Sequence, residues 1–175
     1  MKTTHNQRLV LIALLVAQGV VLSLIEQAIP TPFLFAPGAK LGLANIITCI
    51  ALFKLPLKDT ATLIVLRLLL AGFLGGTLST ILFGLTGATI SLIGMVCVKK
   101  LGGRHITMIG ISVVGATLHN FGQLLMASYI AGTWNVLMYL PILTFFGILS
   151  GIATGIIANY LLTSINQIPA FSVSL

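Results

Sequence analysis

The sequence predicts an all-α integral membrane protein, a bundle of six transmembrane helices with both termini on the cytoplasmic side. Three observations predict it. Hydrophobic residues make up 58% of the chain and charged ones only 6%, with a mean hydropathy of +1.16, outside the range of soluble domains. The apolar residues form long runs separated by short polar or Pro/Gly breaks, with no hydrophilic block, so residues 1–175 read as a single membrane domain. The basic residues collect beside the helix ends, so the formal net charge of +7 reports topology and not a nucleic-acid partner.

The first helix spans about 8–26. Basic residues precede it as in a signal peptide, but the run is long and no small-residue cleavage site precedes Glu26, so it is a retained span. Residues 27–39 form the longest outer loop, where Pro30, Pro32 and Pro37 forbid a continuous helix and Gly38 permits a tight approach. Helix two, about 40–54, is short for a hydrocarbon core of about 30 Å. After a break at Leu55-Pro56-Leu57-Lys58-Asp59, the apolar run 60–98 is too long for one span. Its glycines 72, 75, 76, 84 and 87 place a turn somewhere in 75–86, giving helices at about 60–75 and 84–98. A basic loop ending at Arg104, a helix at about 106–131, a turn at Gly132-Thr133-Trp134-Asn135 and a last helix at about 137–162 complete the chain. With the N-terminus inside, Lys2, Arg8, Lys54, Lys58, Lys99, Lys100 and Arg104 are cytoplasmic, leaving Lys40 outside and Arg67 within a helix.

Polar groups inside a bilayer are costly, so each needs a reason. Lys40 and Asn45 open helix two, about 7 to 8 Å apart along its axis, as mouth and floor of one polar site; Lys40 also reads as a snorkelling interfacial residue. Arg67, about 12 Å along its helix from Asp59, is near mid-membrane. It is either a structural cation, bonded to carbonyls or paired with Glu26, or the holder of an anionic ligand group. Glu26 is a partner for Lys40 or Arg67, or an interfacial residue. On helix five, Gly115, His119 and Gln123 recur every four residues and share a stripe beside Asn120, a candidate binding face. Phe33, Phe35 and Trp134 are candidates to cover a bound ring or apolar portion. Cys49 and Cys97 lie in apolar runs without CxxC spacing and read as buried packing residues.

No metal-ligand spacing, nucleophile elbow or nucleotide-binding loop occurs. The only carboxylates, Glu26 and Asp59, fall on opposite sides of the membrane, so the acidic clusters that hold magnesium and a diphosphate are missing. The expectation is a protein that is not itself an enzyme and carries no cofactor; active transport would draw on a partner's ATP hydrolysis. Gly147, Gly151 and Gly155 form a ridge suited to internal packing, whereas Ala13 and Ala17 form an AxxxA pair open to internal packing or partner docking.

The stretch Ala36-Pro-Gly-Ala-Lys-Leu-Gly-Leu-Ala-Asn-Ile-Ile-Thr48, the Leu66-Arg67 pair and Leu118-His-Asn-Phe-Gly-Gln123 resemble the Gx transporter family of small bacterial membrane proteins, also described as heptaprenyl diphosphate synthase component I. That family is similar to the substrate-binding S components of energy-coupling factor transporters. The resemblance implies a bacterial cytoplasmic-membrane protein that captures a small micronutrient, such as a vitamin or a quinone or isoprenoid precursor. It implies residues 27–39 as a lid and Ala13 and Ala17 as the docking patch for a transmembrane coupling subunit with paired ATPases. The synthase description implies instead an accessory membrane component of a soluble prenyltransferase.

Overall fold

A computed structural model describes residues 5–28, 42–103 and 106–167, and these fold into six α-helices. They are α1 (His5–Ala28), α2 (Leu43–Lys54), α3 (Leu57–Gly75), α4 (Leu78–Leu101), α5 (Met108–Ala131) and α6 (Leu140–Asn166), with a 3-10 segment, Trp134–Tyr139, leading into α6. The protein is therefore an all-helical membrane protein. Four segments, Arg8–Ala28, Leu78–Leu101, Met108–Ala131 and Trp134–Ile165, are each long and apolar enough to cross a bilayer. The other two helices fall short for different reasons: α2 has 12 residues, whereas α3 has 19 but carries Lys58, Asp59 and Arg67.

Side-chain contacts fix which helix ends share a pole. Arg8 on α1 forms an ion pair with Asp59 on α3, and Lys99 Nζ at the end of α4 donates to the Leu52 carbonyl near the end of α2 at 2.8 Å. Every described lysine and arginine except Arg67 therefore lies at one pole, called here the basic pole. At the opposite pole the Gly42 N–H donates to the Glu26 carboxylate, tying the entry of α2 to the end of α1.

The glycines expected to mark the α3–α4 turn divide into two roles. The turn is confined to Gly76 and Thr77, because Thr77 caps α4: its hydroxyl accepts from Thr80 N–H at 3.3 Å while Thr80 Oγ1 accepts from Thr77 N–H at 2.7 Å. So α4 begins at Leu78, six residues before the expected start at 84. Gly84 and Gly87 instead lie within α4 and permit close packing. A Cβ on Gly84 would stand 2.8 Å from Leu68 Cδ2, and one on Gly122 would stand 2.7 Å from Gly87 Cα.

On the other side of α5, Gly147, Gly151 and Gly155 of α6 press on Thr117, Val113 and Ile109, as their spacing predicts; a Cβ on Gly151 would be 2.6 Å from Val113 Cα. Here Ser112 and Thr154 add a buried hydroxyl pair at 2.9 Å. Cys49 is buried as expected, whereas Cys97 is exposed on the outer face of α4 and not in the core, because an apolar run in a membrane protein marks the outward face as well as the inward one. Ala13 and Ala17 are likewise on the exposed face of α1.

Candidate functional site

Arg67 faces inward because of its register on α3. Thr60, Leu63, Ile64, Arg67 and Ala71 recur at three- and four-residue steps and form the buried face of the helix. The arginine is only 2% exposed, and its Nε and Nη1 groups have no hydrogen-bond partner. An ionised guanidinium held this deep with open donors carries a desolvation cost that a well-placed acceptor would offset.

Four of the residues singled out in the sequence, Glu26, Asn45, Arg67 and His119, line one small cavity of about 30 Å³ near the pole opposite the basic one. They arrive from four different helices. All four are buried. The Glu26 carboxylate acts electrostatically on Arg67 across the cavity while accepting the Gly42 N–H. Gly42 adopts a left-handed conformation, with φ at 77°, and its carbonyl accepts the Asn45 N–H at 2.8 Å. The entry of α2 is thus a turn braced by Glu26, and it sets Asn45 on the cavity wall. A carboxylate at this helix start is also favourably placed toward the helix dipole.

The α5 stripe is only partly in the cavity. His119 lines it, and Gln123 lies one turn further along, buried, with its Nε2 lacking a hydrogen-bond partner. Both press on Gly87: a Cβ there would be 2.8 Å from the His119 carbonyl oxygen and 3.0 Å from Gln123 Cγ. Asn120 turns the other way and donates from Nδ2 to the Leu143 carbonyl at 3.0 Å, joining α5 to α6. Trp134 is 71% exposed and is not among the cavity-lining residues. Lys40, Phe33 and Phe35 lie outside the described residues, as does all but the first two residues of the 27–39 loop.

Sequence reasoning left out one face of the site. Gly19, Ser23 and Glu26 follow one another at four- and three-residue spacing on α1 and turn together toward Arg67. Ser23 lines the cavity and donates to the Gly19 carbonyl at 2.8 Å. Gly19 leaves the space that the arginine stem occupies. The signal was present in the small-polar-acidic spacing that ends at Glu26. The AxxxA pair Ala13 and Ala17, on another face of the same helix, overlaps that spacing and obscures it.

The cavity is chemically a mixed-charge pocket: one cation with open donors, one carboxylate already engaged by a backbone N–H, one amide and one imidazole. At about 30 Å³ it has room for about one or two water molecules, so a larger ligand fits only when the surrounding side chains move apart. Among the described residues no group of three or more His, Cys, Asp or Glu side chains is placed to hold a metal ion. The family described as heptaprenyl diphosphate synthase component I matches residues 15–161, a range that contains every cavity-lining residue. No curated relative and no solved structure matches the chain.

Proposed function

The chain belongs to the heptaprenyl diphosphate synthase component I family, and from that premise we propose that it is the substrate-binding membrane subunit, or S component, of an importer of the energy-coupling factor type. All six helices span the bilayer in this reading, with both termini cytoplasmic in a bacterial plasma membrane. The basic pole then faces the cytoplasm, in keeping with the positive-inside rule, and the cavity opens toward the outside. The substrate is a small anionic micronutrient, of the vitamin, quinone-precursor or isoprenoid-precursor class. A transmembrane coupling subunit with paired ATPases supplies the energy, and the exposed Ala13 and Ala17 face of α1 is the docking surface.

The observation that carries this reading is Arg67, buried with two unpartnered guanidinium nitrogens on the wall of a cavity. A carboxylate or phosphate oxygen is the acceptor that a guanidinium fork matches best, and Asn45 and His119 supply neutral polar contacts to the rest of the ligand. Native mass spectrometry with metabolite extraction on gently purified protein tests it. The expected result is one anionic small molecule per chain, lost in Arg67→Ala and His119→Ala while the fold persists. Unchanged retention in Arg67→Ala would remove Arg67 from the site.

The family description favours a second reading, a non-catalytic membrane component of a heptaprenyl diphosphate synthase. Here a soluble prenyltransferase partner supplies the diphosphate chemistry, for which this chain has only two carboxylates. Copurification of such an enzyme, with its activity raised by this chain and no ligand retained, would decide for it.

A further inference from the structure

A second cavity, of about 310 Å³ and open to the surface, lies at the basic pole between α2, the start of α3 and the end of α4. Its wall is mostly apolar, built from Leu52, Leu55, Leu57 and Val96, and its rim carries Lys99 and Lys100. Leu52 and Leu55 are buried, whereas Leu57 is exposed, so the wall runs from the core to the outer surface. Lys99 is held in place: its Nζ donates to the Leu52 carbonyl at 2.8 Å and lies 4.5 Å from the centre of the Phe53 ring. An ammonium has three donors, so two remain after the bond to Leu52. Lys100 is exposed beside it. The sequence has two acidic residues; Glu26 is at the far pole and Asp59 is held by Arg8, so among the described residues no acidic side chain neutralises the lysine rim.

We propose that this cavity binds one anionic phospholipid of the surrounding bilayer, its phosphate on Lys99 and Lys100 and an acyl chain along Leu57, Leu55 and Val96. The two halves of the cavity match the two halves of such a molecule. A soluble anion would use only the rim, and a purely apolar partner would leave the cations beside it unneutralised. Basic pockets between membrane helices at the cytoplasmic level suit anionic headgroups for this reason. The proposal is independent of what the inner cavity binds.

The test uses the full chain in neutral detergent, titrated with an equimolar mixture of phosphatidylglycerol and phosphatidylcholine, with bound lipid counted by native mass spectrometry. One phosphatidylglycerol should be retained in preference to phosphatidylcholine. Lys100→Gln, which breaks no hydrogen bond or ion pair among the described residues, should lower that retention about fivefold, the factor expected for one basic residue at an anionic membrane surface. Leu57→Gln should lower retention of both lipids, and millimolar inorganic phosphate should not displace the bound lipid. Equal retention of the two lipids, or unchanged retention in Lys100→Gln, would overturn the proposal. Displacement by phosphate with no effect of Leu57→Gln would also overturn it, in favour of a plain phosphate site.

Discussion

The aliphatic stem of Arg67 crosses α1 at Gly19: a Cβ on Gly19 would stand 2.6 Å from Arg67 Cδ and 3.2 Å from Cγ. The guanidinium reaches the cavity only because α1 offers bare backbone at this level. The crowded atom is mid-stem, so the side chain cannot move aside without withdrawing its charged end. Gly19→Ala should therefore destabilise the protein by about 1–3 kcal/mol, the usual cost of overpacking, although alanine is the better helix former. Thermal unfolding in detergent measures this. The same variant should lose whatever ligand Arg67 holds, whereas Gly110→Ala, whose Cβ would come no closer than 3.6 Å to another side chain, should leave ligand retention unchanged.

Glu26 and Arg67 face one another in a buried cavity, so their effects on stability should not add. Arg67→Met leaves a buried carboxylate without its nearby cation, and Glu26→Gln leaves the cation without its counter-charge. The double variant removes both liabilities. A double-mutant cycle on unfolding free energy should give a coupling of about 0.5–3 kcal/mol, the double variant being more stable than the sum of the single losses implies. Strict additivity would show that the two charges do not sense each other.

The long helices and the inward Arg67 were legible in the sequence because hydropathy and a lone charge in an apolar run are local signals. Asn45 and His119 were legible for the same reason. Asn120 was not, since its side chain is spent on the Leu143 carbonyl, an acceptor 23 residues away that no local pattern announces. Gly84 and Gly87 show a different failure. Glycine marks both turns and close helix contacts, and only the Thr77–Thr80 cap shows which glycines do which. The α1 face of the site needed a choice between two overlapping periodicities on one helix, and the structure settles it through Arg67.

Gly42 carries a backbone conformation that a side chain resists. Its φ of 77° is in the left-handed region, and its N–H is the donor to Glu26. Gly42→Ala should cost about 1–2 kcal/mol, measured by thermal unfolding, and should lower ligand retention by shifting Asn45. Gly42→Asn should be milder, because asparagine tolerates the left-handed region. Equal losses for the two variants would mean that space beside Asn45 and Ser150, and not backbone strain, limits this position.

The two small-residue ridges should respond in opposite ways. Gly151 faces backbone: a Cβ there would be 2.6 Å from Val113 Cα and 3.1 Å from the Ser112 carbonyl oxygen, and neither atom can swing away. Gly151→Val should therefore separate α6 from α5, strain the Ser112–Thr154 hydroxyl pair and cost roughly 1–3 kcal/mol or more. Its signature is a lowered unfolding temperature. Ala17 is exposed, so Ala17→Leu adds a side chain where none of the described residues resists it. That variant should fold, unfold at the same temperature and keep its ligand. If the face docks on a coupling subunit, the bulkier residue should still abolish association in a pull-down and uptake in cells, because close backbone approach is what the alanines permit. Intact association in a folded Ala17→Leu protein would assign the exposed alanines to lipid contact alone.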